Sequence, residues 1–492
     1  MAHYGQYRGL EMLPGLIVWG SFALAVLLSF FAPLVAVVCI ITFDLYWLFR
    51  VLYFIVYLLA SWRRYRYTER VDWRKEVEKI PGWESLWHMV FLPIYGEDVS
   101  IVRRTLKAIR ETDWPKDRMV IVLAGEGREE ARIRGVFHQL EKEFGGVFRK
   151  LFFTIHPTGL PDEIPGKGSN LNWSGHRAQE MLEKEFPDVA PEHILVSALD
   201  VDTLVPPVYF SYLAHRFLTT PDGLHSSYQP LTLFTNNIWH ATAPVRVAAF
   251  GTTFWLLTEL SRPDRLWTFS SHSMPWKMLL DVGFWQKDIV SEDSRIFLQG
   301  LIRYHGNYRV TPLYIGVSMD TVTGATYLES LRNLYRQQRR WAWGVEHLME
   351  MVEAFRRDPL FPRWRKLRYL FFHMEGMYTW ATAPVLIFLM GWLPLLLARQ
   401  DPTLLVQAAP GTLALIMRFA TLGVILTAIL SMIVLPSRPR TVGWWGWVVM
   451  LLQWILLPVT FMIFGAFPAI DAQTRLMCGR YLGFQVTKKQ RL

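Results

Sequence analysis

Apolar residues crowd into two blocks of this chain: Met12 to Trp62 carries almost no charge, and Tyr369 to Ile470 carries little. A soluble protein does not concentrate its hydrophobic positions in this way. Roughly 20 mainly apolar residues take a helix across a hydrocarbon core, and the first block is long enough for two, with Pro33 at the turn. The pattern predicts a helical hairpin over about 13–31 and about 35–60. Ala23-Leu24-Ala25 also resembles a signal-peptide cleavage site, but the second apolar run follows at once and would leave even a cleaved form anchored. The second block offers spans at about 376–398, 411–435 and 443–469.

Between the blocks the hydrophobic period changes repeatedly. "WHMVFLPIY" (87–95) is a short apolar run stopped by Pro93 and Gly96, which suits a buried strand. Ile101, Val102, Leu106 and Ile109 then recur at helical spacing. "RMVIVLAG" (118–125), "KLFFTIHP" (150–157) and "HILVSALD" (193–200) read as strands, with "EEARIRGVFHQLEKEF" and "NLNWSGHRAQEMLEKEF" as helices. This alternation predicts an α/β domain built on a mostly parallel sheet covered on both faces. Such sheets bind ligands beyond the carboxyl ends of their strands. Three of those ends are acidic here: "PIYGED", "AGEG" and "LDVDT".

The 492 residues are 52% hydrophobic, enough for two or three domains. The 52 basic and 42 acidic residues leave a net charge of +10. No nucleic-acid module accompanies that charge, and positive-inside topology with binding of a diphosphate accounts for it. Arg63, Arg64, Arg66, Arg70, Arg74 and Lys75 follow the second span, which keeps its end, and the middle of the chain, in the cytoplasm. The two cysteines, Cys39 and Cys478, provide neither a disulfide framework nor a thiolate zinc site. Three C-terminal crossings would place the basic tail with Arg475, Arg480, Lys488, Lys489 and Arg491 outside the cell. A cytosolic tail is therefore expected, with Pro458 breaking the last block or the 369–374 region adding membrane contact. Arg418 is expected to face protein or water, since an arginine at mid-membrane costs about 2.5–3.5 kcal/mol on insertion scales.

Four constellations carry candidate chemistry. Asp200 and Asp202 come as a strand runs out and present two hard oxygen ligands, suited to Mg²⁺ or Mn²⁺ with substrate phosphates; a turn or a helix cap is the plainer reading. "GKGSNLNW" (166–173) sets Lys167 at a helix start where free N–H groups favour an anion, without the spacing of a P-loop; a capped helix is the alternative. Glu292 and Asp293 open another helix, as dipole-stabilised caps or as a general base toward a hydroxyl. In "QQRRW", Gln337, Arg340 and Trp341 share a helix face, giving a bidentate guanidinium and a stacking plate, or an interfacial basic-aromatic helix.

Taken in order, "PIYGED", "GKGSNLN", "LDVDT", "SEDSR" and "QQRRW", with a membrane hairpin before and a membrane block after, resemble a membrane-bound family 2 glycosyltransferase of the cellulose synthase-like and hyaluronan synthase-like branch. The resemblance covers roughly 85–365 by motif and most of the chain by architecture. It implies a GT-A fold, a nucleotide-diphosphate sugar donor (a UDP-sugar favoured), Mg²⁺ or Mn²⁺, and inversion at the anomeric carbon. The implied organisation is a hairpin (1–62), a cytosolic GT-A domain (63–335), a QxxRW segment with interface helices (336–368), C-terminal spans (369–470) and a basic cytosolic tail (471–492). Pro93, Tyr95 and Glu97 would hold the nucleobase and ribose, and Lys167 and Asn170 would line the donor site. Asp200 and Asp202 match the metal motif, and Asp293 the base with Glu292 beside it. Gln337, Arg340 and Trp341 match the segment that gathers the diphosphate and the acceptor end.

The chain departs from the pattern after the second strand, where Gly125-Glu126-Gly127 stands in place of paired aspartates and Glu126 is the candidate substitute. Ser271 and His272 fall where acceptor contacts are expected, although His272 also suits a structural role. The implied activity is processive polysaccharide synthesis coupled to export from the plasma (inner) membrane, with membrane lipids and an accessory export subunit as partners. Single addition to a lipid carrier or glycolipid is the alternative, and a catalytically silent channel or scaffold the second. No nucleic-acid partner is expected, nor an appended cyclic-nucleotide domain.

Overall fold

The computed structural model describes residue 5, residues 7–397 and residues 404–483. The expected basic side chains of Lys488, Lys489 and Arg491 lie outside these residues. The middle of the chain folds into a seven-stranded sheet: β1 (Trp87–Ile94), β2 (Met119–Glu126), β3 (Lys150–His156), β4 (Ile194–Ala198), β5 (Ser226–Leu233), β6 (His272–Pro275) and β7 (Arg309–Ser318). The strand order is β3-β2-β1-β4-β6-β5-β7. β1, β2, β3 and β4 pair parallel, as do β5 and β7. The four-residue β6 runs antiparallel between β4 and β5, so the sheet is mixed. "HSMP" is too short and polar to signal a strand by periodicity, and its place comes from pairing with β4.

Alternate side chains of β1 enter separate cores. Val90 and Leu92 pack with Val102, Leu106 and Ile109 of the Val99–Arg110 helix. Met89 and Phe91 pack beneath the Lys167–Glu185 and Glu292–Arg303 helices. That second core continues without a break to Leu58, Ala428 and Trp454 in the apolar blocks, so the domain and the membrane segments share one hydrophobic interior.

Among the described residues, five helices are long and apolar enough to cross a membrane: Arg8–Phe31, Pro33–Thr68, Arg363–Leu397, Gln407–Val434 and Trp445–Met477. Arg418, expected to face protein or water, is exposed on its helix and so does not face protein. Composition marks a charge in a span but not the side on which it lies.

The last segment behaves differently from the rest. At its start Trp447 packs edge-on against Trp239 of the sheet domain at 5.0 Å. Near its end Asp471 pairs with Arg339 at 2.9 Å. Between these points Trp454 and Phe461 lie against Phe250 and Gly251 of the Ala243–Leu260 helix. Trp445–Met477 therefore starts and finishes against the sheet domain. Pro458 does not fold it into a hairpin; the rod continues through a 3-10 turn at Gln453–Leu456 and a π turn at Met462–Ala466.

Candidate active site

The carboxyl end of β4 and the starts of two helices converge on one ammonium group. Lys167 opens the Lys167–Glu185 helix, whose first turn is fixed by Ser169, a hydroxyl that accepts from the Gly166 N–H at 3.1 Å and donates to the Ile164 carbonyl. Lys167 Nζ donates to Asp200 Oδ1 at 2.6 Å and to Asp293 Oδ1 at 2.8 Å, with Glu292 Oε1 at 3.7 Å. Burial works against the charge on Lys167, but Asp200, Asp293 and Glu292 more than offset it and hold the ammonium above its ordinary range. Glu292 is 2% exposed. Burial first, and the Asp293 charge second, raise its carboxyl well above the usual range, against the opposing pull of Lys167 and Arg340.

Asp200 is held on its other side as well. Its Oδ2 accepts from Ser270 Oγ at 2.6 Å, and its backbone N–H donates to Ser271 Oγ at 3.3 Å. Ser271 adopts a left-handed backbone with φ of 63°, a conformation that a non-glycine residue keeps only where its surroundings over-determine it. Asp202 Oδ2 accepts from the Asp320 N–H at 3.0 Å, so the Asp-Val-Asp turn is tied to the loop after β7.

The sequence expectations divide at this point. Lys167, Asp200, Glu292 and Asp293 come together. Tyr95 and Glu97 form a tight turn in which Glu97 Oε2 accepts from the N–H groups of Tyr95 and Gly96, beyond Pro93 at the end of β1. Glu126 is 4% exposed and accepts from Arg128 Nε at 2.9 Å. Arg128 lies 4.5 Å above the Tyr95 ring, so it is this guanidinium that faces outward.

Three expectations need correction. Asn170 is 1% exposed and spends its amide on the Ala124 carbonyl at 2.7 Å, fastening helix to strand rather than lining an open site. Ser271 and His272 are wholly buried and present no surface to an acceptor. Ser271 props Asp200 and Thr203, and His272 Nδ1 lies 2.7 Å from the Phe269 carbonyl. Nor does the QQRRW helix offer one joint face: Gln337 and Trp341 line a groove with Phe234, Thr252 and Thr321, whereas Arg340 lines a separate hollow beside Val290. Sequence reasoning missed Ser270 and Arg128. Only chain folding reveals that the first faces Asp200 and the second Tyr95.

No family model matches the chain. It is 24% identical over 347 residues to the cellulose synthase catalytic subunit (UDP-forming) of Komagataeibacter sucrofermentans, across 68% of this chain and 39% of that protein. It is also 24% identical over 336 residues to the cellulose synthase 1 catalytic subunit (UDP-forming) of Komagataeibacter xylinus, across 65% and 38%. The chain is thus similar to cellulose synthase catalytic subunits over about two thirds of its length. This cellulose synthase-like chain spans about two fifths of the length of those relatives. Among solved structures, a mannosyltransferase of Pyrobaculum calidifontis with GDP-Man and Mn²⁺ superposes with a TM-score of 0.43 at 17% identity, over 80% of this chain and 99% of that one. S. aureus TarS 1–349 with UDP-GlcNAc gives 0.37 at 12% identity, over 77% and 92%. At these scores the superpositions add only a general likeness, and the relationship rests on the sequence relatives.

Proposed function

We propose that this chain transfers sugar from a nucleotide-diphosphate donor to an acceptor hydroxyl with inversion, and that it extends a polysaccharide and passes it outward across the plasma (inner) membrane. The observation that carries the reading is the convergence of Asp200, Asp293 and Glu292 on Lys167 at the carboxyl edge of the sheet. A carboxylate for the nucleophile and cations for the leaving group are what such a transfer requires.

Asp293 serves as general base. The acceptor oxygen bonds to the anomeric carbon as the bond from that carbon to the diphosphate oxygen breaks. The electron pair leaves with the nucleoside diphosphate, and the hydroxyl proton passes to Asp293. Lys167 and Arg340 supply positive charge to the departing diphosphate. Glu292, whose carboxyl is raised by burial and by the neighbouring Asp293 charge, stands beside the base as a buried acid.

Asp200 and Asp202 fit a divalent cation by donor chemistry: two hard oxygen groups on one turn, with diphosphate oxygens to complete the shell. Such a cation, Mg²⁺ or Mn²⁺, would neutralise charge on the leaving diphosphate. The names of the two relatives support a UDP-sugar donor. The basic run after the second span supports a cytosolic catalytic domain. The groove with Gln337 and Trp341 is where the acceptor end would rest, and an accessory export subunit and surrounding lipid would complete the assembly.

The test is product size from purified protein in nanodiscs with radiolabelled nucleotide sugars and Mg²⁺ or Mn²⁺, using Asp293→Asn as control. A long, glycosidase-sensitive polymer absent from the variant supports the reading. A one-sugar lipid product replaces polymer synthesis with glycolipid synthesis, and absence of transfer from every donor overturns the reading.

A further inference from the structure

Ser291 is the N-cap residue of the Glu292–Arg303 helix, yet its hydroxyl does not cap that helix. It donates instead to Glu346 Oε1 at 2.6 Å. The other oxygen of Glu346 accepts from the Trp343 indole N–H at 2.9 Å. Glu346 is 3% exposed. Its buried carboxylate thus joins the turn that carries Glu292 and Asp293 to the turn that follows Trp341.

A second tie runs alongside the first. His347 Nε2 lies 2.8 Å from Ser294 Oγ, one residue past Asp293. Burial first, then the neighbouring Arg295 charge, keeps the His347 imidazole neutral. The ring stacks on Trp267 at 5.7 Å, and Thr268, the next residue, donates to the Asp293 carbonyl at 2.6 Å. Glu346 and His347 therefore brace the acid turn on two sides, Glu346 through Ser291 and His347 through Ser294 and Trp267.

We propose that Glu346 is a positioning residue: it fixes the turn bearing Asp293 against the Gln337–Trp341 segment, so that base and guanidinium keep one spacing during transfer. The inference rests on the glycosyl-transfer reading given above. Its physical basis is competition for one hydroxyl. Released from Glu346, Ser291 is free to turn and accept from the N–H of Ser294 as an ordinary N-cap does, which draws the acid turn away from the QQRRW helix. Charge-assisted bonds to both carboxylate oxygens hold it in the other arrangement.

The test uses the full chain in nanodiscs with Glu346→Ala, Glu346→Gln and Ser291→Ala, measuring kcat and KM for the donor and, by calorimetry, the affinity for UDP with Mn²⁺. Loss of positioning predicts that Glu346→Ala lowers kcat by about 10- to 100-fold while KM and UDP affinity stay unchanged. Glu346→Gln recovers most of the rate, because its amide oxygen still accepts from Ser291. Should Glu346→Ala fail to fold, Ser291→Ala removes that contact, together with the longer 3.5 Å approach of Ser291 Oγ to His347 Nε2, and shows a smaller fall of the same kind. An unchanged kcat, or a rise in KM matching the fall in kcat, overturns the proposal. If the unmodified chain binds UDP but transfers no sugar, the catalytic reading fails by itself, and amide exchange decides this one. The N–H groups of Asp293, Ser294 and Arg295 exchange about tenfold faster in Glu346→Ala if Glu346 holds the turn, and at the same rate if it does not.

Discussion

Lys167 Nζ lies 2.8 Å from Asp293 Oδ1, across 126 residues of sequence. The contact places the start of one helix against the start of another, with Asp200 as the third corner at 2.6 Å. The ammonium is the charge that lets the carboxylates share one buried edge. Lys167→Met should therefore destabilise the chain by about 3–5 kcal/mol, as removal of one partner from a buried charged group does. Thermal melting in detergent and UDP binding with Mn²⁺ measure it. A variant with unchanged melting would mean that the carboxylates do not depend on this lysine.

Glu292 gives a pH dependence with a defined sign. Its folded carboxyl is raised from 4.5 to about 7, so between those values the native state holds a proton that the unfolded chain has lost. Stability falls as pH rises through that window and levels off above it. Glu292→Gln removes the titration. It should leave the melting temperature nearly unchanged at pH 5 and raise it at pH 8, with an upper bound of about 3 kcal/mol. A wild-type profile retained in the variant would assign the dependence to another group.

Gly168 sits where the Lys167–Glu185 and Glu292–Arg303 helices touch. A Cβ there would lie 2.9 Å from the Gln286 carbonyl and 3.1 Å from Glu292 Cβ. The first neighbour is backbone and the second is tied to the acid turn, so neither gives way cheaply. Gly168→Ala should cost about 1–3 kcal/mol and reduce kcat more than donor binding. Full activity with unchanged melting would show that the helices separate freely.

Ser271 tests the strained turn beneath Asp200. Its φ of 63° disfavours a β-branched side chain, and its hydroxyl serves both Asp200 and Thr203. Ser271→Val should destabilise the chain by about 1–3 kcal/mol and weaken Mn²⁺-dependent UDP binding, since Asp200 loses its backbone anchor. Melting curves and calorimetry report both effects, and unaltered values would remove the turn from the site's support.

The last apolar segment predicts a labelling result. Both its ends pack against the sheet domain, and the exposed Cys478 follows it directly. A membrane-impermeant maleimide should therefore label Cys478 only from the side that carries the catalytic domain. Labelling from the opposite side would make Trp445–Met477 a crossing.

The alternation of strands and helices, the acidic strand ends and the apolar blocks are legible in the unfolded chain, because they follow from local periodicity and from runs of neighbouring residues. The tertiary structure decided which polar groups meet. Asp200 and Asp293 stand 93 residues apart in the chain and share one ammonium only because two helices start at the same sheet edge. Ser271 and His272 fall where the resemblance places acceptor contacts, but position in a motif does not give the direction of a side chain; both are buried, Ser271 in the turn before β6 and His272 at its start. Trp445–Met477 has the length and hydropathy of a crossing, yet its two ends meet the sheet domain at Trp239 and Arg339 while its last turns also bond to the Arg8–Phe31 and Arg363–Leu397 helices. Hydropathy is a sum over one segment, whereas the path of a helix depends on the surface it meets.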